Sequence, residues 1–278
     1  MAQCFFFTVY YITLMAWSFS YFFDSFKDPL PWMKGATTLA EINDKVNALK
    51  KSDKEIKSGD LWNPDYFYKN TLNRSDSITD AGAPQGFLVF CLFLSYVYAY
   101  FSAWKGIKST GKMVWVTCTL PYFILTVLVI KGLTLEGSGK GLEKLFIPDW
   151  SKLADIEIWK NAAVQILFSS SVSFGPLIYY ATARKENEKI MKASFWIPVA
   201  NSLTSLYAAI TVFLFLGHVS HVTGKSIDQV SESGMDLAFV AYPGLLGTLD
   251  GANVWAVIFF MMLVTLGVDS VFATVDFF

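Results

Sequence analysis

Residues 162–180 read Ala-Ala-Val-Gln-Ile-Leu-Phe-Ser-Ser-Ser-Val-Ser-Phe-Gly-Pro-Leu-Ile-Tyr-Tyr. Both ends are apolar, yet four serines, a glycine and a proline fall between Ser169 and Pro176. Serine hydroxyls compete for backbone hydrogen bonds, and Pro176 lacks an N–H and clashes with the preceding turn. The pattern predicts a membrane-crossing segment, near 158–183, that is unwound at about 170–175. Irregular backbone at that depth is tolerated where it lines a protein-enclosed or watery site. An interrupted span of this kind points to a transporter's midplane binding site. A proline kink packed by small residues is the alternative this segment alone leaves open.

Five further apolar runs lie around it, at 4–24, 86–104, 113–131, 193–217 and 252–276. About 20 helical residues cross the hydrocarbon core, and the runs are continuous rather than alternating, which argues against a β-barrel. Of the 278 residues, 54% are hydrophobic and only 16% charged, against about 25% charged in ordinary soluble domains. None of the 22 basic residues lies toward the middle of an apolar run. This excludes a disordered chain, a nucleic-acid binder and a typical cytosolic enzyme. Cys4, Cys91 and Cys118 all sit in apolar runs, so no disulfide framework is read. The expectation is an all-α polytopic membrane protein with six transmembrane helices, one of them broken.

Loop charges orient the chain. Loop 105–112 has three lysines and no acid, and loop 184–192 has four basic and two acidic residues, so both face the cytoplasm. Alternation then puts the large loop 25–85, the loop 132–157 and the loop 218–251, with its short helices, outside. Asn73-Arg74-Ser75 in the first of these is a glycosylation sequon as well as a tripeptide that chance produces.

The intramembrane polar residues fall in pairs. Gln165 and Ser169 are four apart on one helix face, and Asn201 and Ser205 repeat the spacing. Such neutral groups donate to an anion and offer oxygens to a cation. Asp269-Ser270 adds a carboxylate that needs a positive partner; a sodium ion or another helix would supply it, and a protonated or water-facing Asp269 is the alternative. An intramembrane aspartyl protease would use Asp24 and Asp269, but Phe23-Asp24 and Gly267-Val268-Asp269 lack the motifs of that class. His218 and His221 are a two-residue zinc candidate, short of a full ligand set.

These residues, with Tyr10-Tyr11, Leu30-Pro31-Trp32, Lys105-Gly-Ile-Lys-Ser-Thr-Gly-Lys112, Pro148-Asp-Trp150, Leu237-Ala-Phe-Val-Ala-Tyr-Pro243 and Thr265-Leu-Gly-Val-Asp-Ser270, give the chain its resemblance to the sodium:neurotransmitter symporter family. The resemblance implies a partial leucine-transporter-type inverted-repeat fold, matching the third to eighth of twelve family helices. It implies Ser169 and Asn201 as ligands of a first sodium site, and Leu266, Asp269 and Ser270 as ligands of a second. It implies Gln165, Ser169, Asn201 and Ser205 as a chloride site; chloride-independent relatives carry glutamate where Ser205 stands. Phe7, Tyr11, Phe168, Phe174, Ser270 and Val271 would line the substrate pocket, with Tyr11 as a gate. Sodium and chloride are then co-transported ions, with no organic cofactor, and the substrate a small amino acid or related amine carried across the plasma membrane. The chain departs from the family in lacking a cysteine pair after Trp32 and in having Thr182-Ala183-Arg184 where Ser-Tyr-Asn is usual. Missing family helices would be needed to complete both sodium sites, so the chain alone is expected not to transport. A truncated, non-transporting form that binds or regulates a full-length carrier is the other reading.

Overall fold

The computed structural model describes residues 2–33, 44, 63, 65–75, 77, 79–80, 82–104, 107–172, 175–182, 184, 190–224, 226–230 and 234–275. They are helical nearly throughout. Among the described residues five helices are long and apolar enough to cross a membrane, over Cys4–Asp24, Gly86–Ala103, Gly111–Leu133, Ile190–Val222 and Ala252–Val275. They belong to α1 (Ala2–Asp24), α2 (Gly86–Ala103), α3 (Ile107–Leu133), α7 (Ile190–Thr223) and α10 (Ala252–Val275). The span read at 158–183 is two pieces, α5 (Ile156–Ser169) and α6 (Pro176–Thr182). Short helices α4 (Ser138–Phe146), α8 (Ile227–Val230) and α9 (Tyr242–Leu246) lie in the loops. Two helices overrun their apolar runs. α3 begins inside the lysine-rich loop and α7 continues past His221, because backbone hydrogen bonding carries on until a residue such as Gly224, at φ +73°, stops it.

α1 packs against α10 and α2, α10 against α3, and α3 against α7, with α4 laid along the C-terminal half of α7. Most span hydroxyls are satisfied by their own helix: Ser18 donates to the Leu14 carbonyl, Ser95 to Cys91, Ser102 to Tyr98 and Thr211 to Tyr207. That is the economical arrangement where no water competes.

The segments read as outer loops meet at one end of the bundle. Tyr21 donates to the Phe239 carbonyl at 2.8 Å and the Trp32 indole to the Pro243 carbonyl at 2.8 Å. Asn253 donates to the carbonyls of Ser25 and Lys27, which closes the end of α1 onto the start of α10. Phe67 and Phe239 stack at 5.3 Å within an aromatic core that also holds Tyr21, Trp32, Tyr242 and Phe260. Tyr66 donates to the Asp24 carboxylate at 2.9 Å, and burial, with that carboxylate beside it, raises the phenol above its ordinary range. α4 fits α7 through glycine: a Cβ on Gly141 would fall 1.7 Å from the Phe213 carbonyl oxygen. Asn73 is exposed, in the left-handed region at φ +47°.

Candidate functional site

The break follows from its residues. α5 ends at Ser169; the Ser170 N–H still reaches the Ile166 carbonyl, while Ser171 turns to φ +54°. That conformation strains an ordinary side chain. Gly175, at φ +106°, then tolerates what few other residues would, and Pro176 begins α6, where its missing N–H costs no helical bond. The Ser170 hydroxyl is buried with no hydrogen-bond partner among the described residues. Ser173 and Phe174 lie outside the described residues, so the predicted role of Phe174 has no structural counterpart here.

A cavity of about 230 Å³ opens beside the break, between α1, α5, α6 and α10. Its walls are Phe7, Tyr11, Phe168, Ser169, Ser171, Pro176, Ser270, Ala273 and Thr274. At about 30 Å³ per water it has room for roughly eight waters, the scale of a small amino acid. Phe7 stacks on Tyr11 at 5.0 Å, and Phe168 meets Phe7 edge-on at 6.3 Å. Five hydroxyls and no charged group line it among the described residues. Such a wall can orient a polar solute by hydrogen bonds while its rings cover the apolar part.

Of the predicted pocket residues, Phe7, Tyr11, Phe168 and Ser270 come together on this cavity. Val271 does not: it is fully buried with Met15, Ala99 and Val268, because the next helical position points about 100° away from Ser270. Of the residues predicted for the first sodium and the chloride sites, the Asn201 amide donates to the Ser169 hydroxyl at 2.9 Å, tying α7 to the end of α5. Ser205 donates to the Asn201 carbonyl one turn back, and Gln165 is exposed on α5. Of the predicted second sodium set, Ser270 faces the cavity, and Leu266 lies one turn earlier on α10, 40% exposed. Asp269 faces α3, where it accepts hydrogen bonds from Thr117 and from the Cys118 thiol.

These are hard oxygen donors, a carboxylate, hydroxyls and helix carbonyls, and they suit an alkali or other hard cation. Ser169 and Asn201 suit either sign, since both hydroxyl and amide donate and accept. The two-residue candidate at His218 and His221 gains no third ligand among the described residues. Among the described residues no three histidine, cysteine or acidic side chains gather, and the His218 ring is engaged with the Glu136 carbonyl at 2.8 Å.

Thr117 was not singled out from the sequence; Cys118 was named only as a cysteine in an apolar run, and Ser171 only among the serines of the break. Thr117 had one visible signal: Pro121, four residues on, withholds the N–H that would bond its carbonyl.

Over residues 1–278 the chain matches the profile of a family described as the sodium:neurotransmitter symporter family. It is 34% identical to the human sodium- and chloride-dependent neutral and basic amino acid transporter B(0+), over 98% of this chain and 47% of that protein. It is 35% identical to the mouse sodium- and chloride-dependent GABA transporter 2, over 96% of this chain and 45% of that protein. With the creatine transporter of Torpedo marmorata it shares 35% identity, over 99% of this chain and 46% of the relative. The chain thus spans about half the length of these curated relatives.

Proposed function

Because this chain belongs to the sodium:neurotransmitter symporter family, we propose that the protein it forms part of takes up a small amino acid or related amine, driven by sodium and dependent on chloride. The observation that carries this reading is the broken α5–α6 span opening onto a hydroxyl-lined cavity, with the Asp269 carboxylate on the helix that forms its far wall. The relatives' names cover neutral and basic amino acids, GABA and creatine, which supports this substrate class and leaves the individual substrate open.

In this reading Tyr11, Phe7, Phe168 and Ser270 hold the substrate, and Phe174 shapes the pocket around them. Ser169 and Asn201 serve the first sodium ion; Asp269, Ser270 and the Leu266 carbonyl serve the second. Gln165, Ser169, Asn201 and Ser205 receive chloride, for which neutral donors suit a dehydrated anion where a carboxylate would repel it. Each sodium ion entering down the membrane potential contributes about 2.3 kcal/mol per 100 mV. The remaining ligands come from segments outside this chain, and the site of action is the plasma membrane.

The test is radiolabelled uptake by the full-length protein in cells, with sodium replaced by choline and chloride by gluconate. Uptake that falls to background in either replacement is the expected result. Uptake that persists without sodium would remove the reading.

A further inference from the structure

Most hydroxyls in the spans bond back to their own helix, so those that reach another helix stand out. Thr117 is one. Its side chain is 1% exposed, it lies on α3, and its hydroxyl meets an oxygen of Asp269 on α10. The adjacent Cys118 brings its thiol to the other carboxylate oxygen at 3.4 Å. Two consecutive residues of one helix therefore hold both oxygens of one intramembrane carboxylate. The Thr117 hydroxyl also lies 3.0 Å from the Met113 carbonyl. It has a single proton, and an ionised carboxylate is the stronger acceptor, so the bond across the helices takes it. Pro121 leaves the Thr117 carbonyl without its helical donor, so the same turn of α3 carries a released backbone oxygen.

We propose that Thr117, seconded by Cys118, is the positioning residue of the Asp269 cation site. It fixes the carboxylate's rotation so that the lone pairs turned away from α3 are presented to sodium. The proposal rests on the sodium-coupled reading above and adds to it a helix, α3, that supplies none of the ligands the resemblance implies. A carboxylate left to rotate would have to be ordered by the ion itself, at a cost in apparent affinity.

The experiment uses the full-length protein and reads sodium and chloride activation of uptake, scaled to surface expression. Thr117→Val, which keeps the shape and removes the hydroxyl, is expected to raise the half-saturating sodium concentration three- to tenfold. Half-saturating chloride should stay within twofold, and Thr117→Ser should restore the sodium value to within twofold. Cys118→Ala, removing the weaker donor, should shift sodium by less than Thr117→Val does. Unchanged sodium activation in Thr117→Val, an equal shift in chloride, or a serine variant that fails to restore would each overturn the proposal. Asp269→Asn separates the two levels: if it keeps wild-type sodium activation, the reading of Asp269 as a sodium ligand falls, whatever Thr117 does. Should Thr117→Val not reach the surface, the unsubstituted protein still decides. Sodium, compared with choline, is expected to slow peptide-resolved alkylation of Cys118 by a permeant maleimide at least threefold, and equal rates would refute the clamp.

Discussion

Tyr11 and Ser270 face one cavity from α1 and α10, and the Tyr11 ring is held by stacking on Phe7. A phenol fixed in this way can donate to a charged group of a solute, a bond worth about 1.5–3 kcal/mol. Tyr11→Phe in the full-length protein is therefore expected to raise the KM for uptake roughly ten- to a hundredfold with surface expression unchanged, measured by concentration-dependent uptake. Ser205 gives a prediction of opposite kind. Its neutral hydroxyl sits one turn from Asn201, and a fixed carboxylate there would supply the negative charge that chloride brings. Ser205→Glu should make uptake indifferent to replacing chloride by gluconate. At this scale the sequence was legible where chemistry is local. The serine-rich break, its glycine and its proline define 170–175 from their own backbone preferences. The partner of Asp269 was not legible, since it depends on how α3 is rotated against α10, and spacing along one helix says nothing of its neighbour. For the same reason Val271 was expected in the pocket and instead packs on Met15 and Ala99.

α3 and α7 are joined by a pair of hydroxyl contacts. Tyr122 meets Thr204 at 2.5 Å, and Tyr207 donates to Thr126 at 2.8 Å. Both partners move up by one turn together, so the two helices run in the same direction, as the loop charges require of spans that both leave the cytoplasm. Interhelical hydrogen bonds within membranes average about 0.6 kcal/mol. A double-mutant cycle on Tyr122→Phe and Thr204→Val, read by thermal stability in detergent, should give a coupling of about that size and below about 2 kcal/mol. The α4–α7 contact is less forgiving. Gly141 lies against the Phe213 backbone with no room for a methyl group, and overpacking of this kind costs about 1–3 kcal/mol. Gly141→Ala should lower the melting temperature and the yield of folded protein at the cell surface, whereas Gly139→Ala, where a Cβ meets nothing within 4 Å, should change neither. Element existence was well marked by apolar run length. Helix ends were not, because α3 and α7 continue as helices through polar residues that a bilayer argument stops at.

The molecule as a whole divides by depth. The end where the segments read as outer loops meet is locked by Tyr21, Trp32 and Asn253, each donating to a backbone carbonyl of another segment, around a ring-filled core. The interrupted α5–α6 span leaves a cavity, a Ser170 hydroxyl with no partner among the described residues and the Asn201–Ser169 bond. Behind it Asp269 is held from α3. In the proposed function, sodium entry is coupled to solute entry through Asp269. The decisive measurement is 22Na+ influx into cells expressing the full-length protein, with and without an amino acid that it takes up. The expected result is 22Na+ entry that rises with the amino acid in the unsubstituted protein and is lost in Asp269→Asn at equal surface expression. Influx that ignores the amino acid, or that survives unchanged in Asp269→Asn, would contradict it.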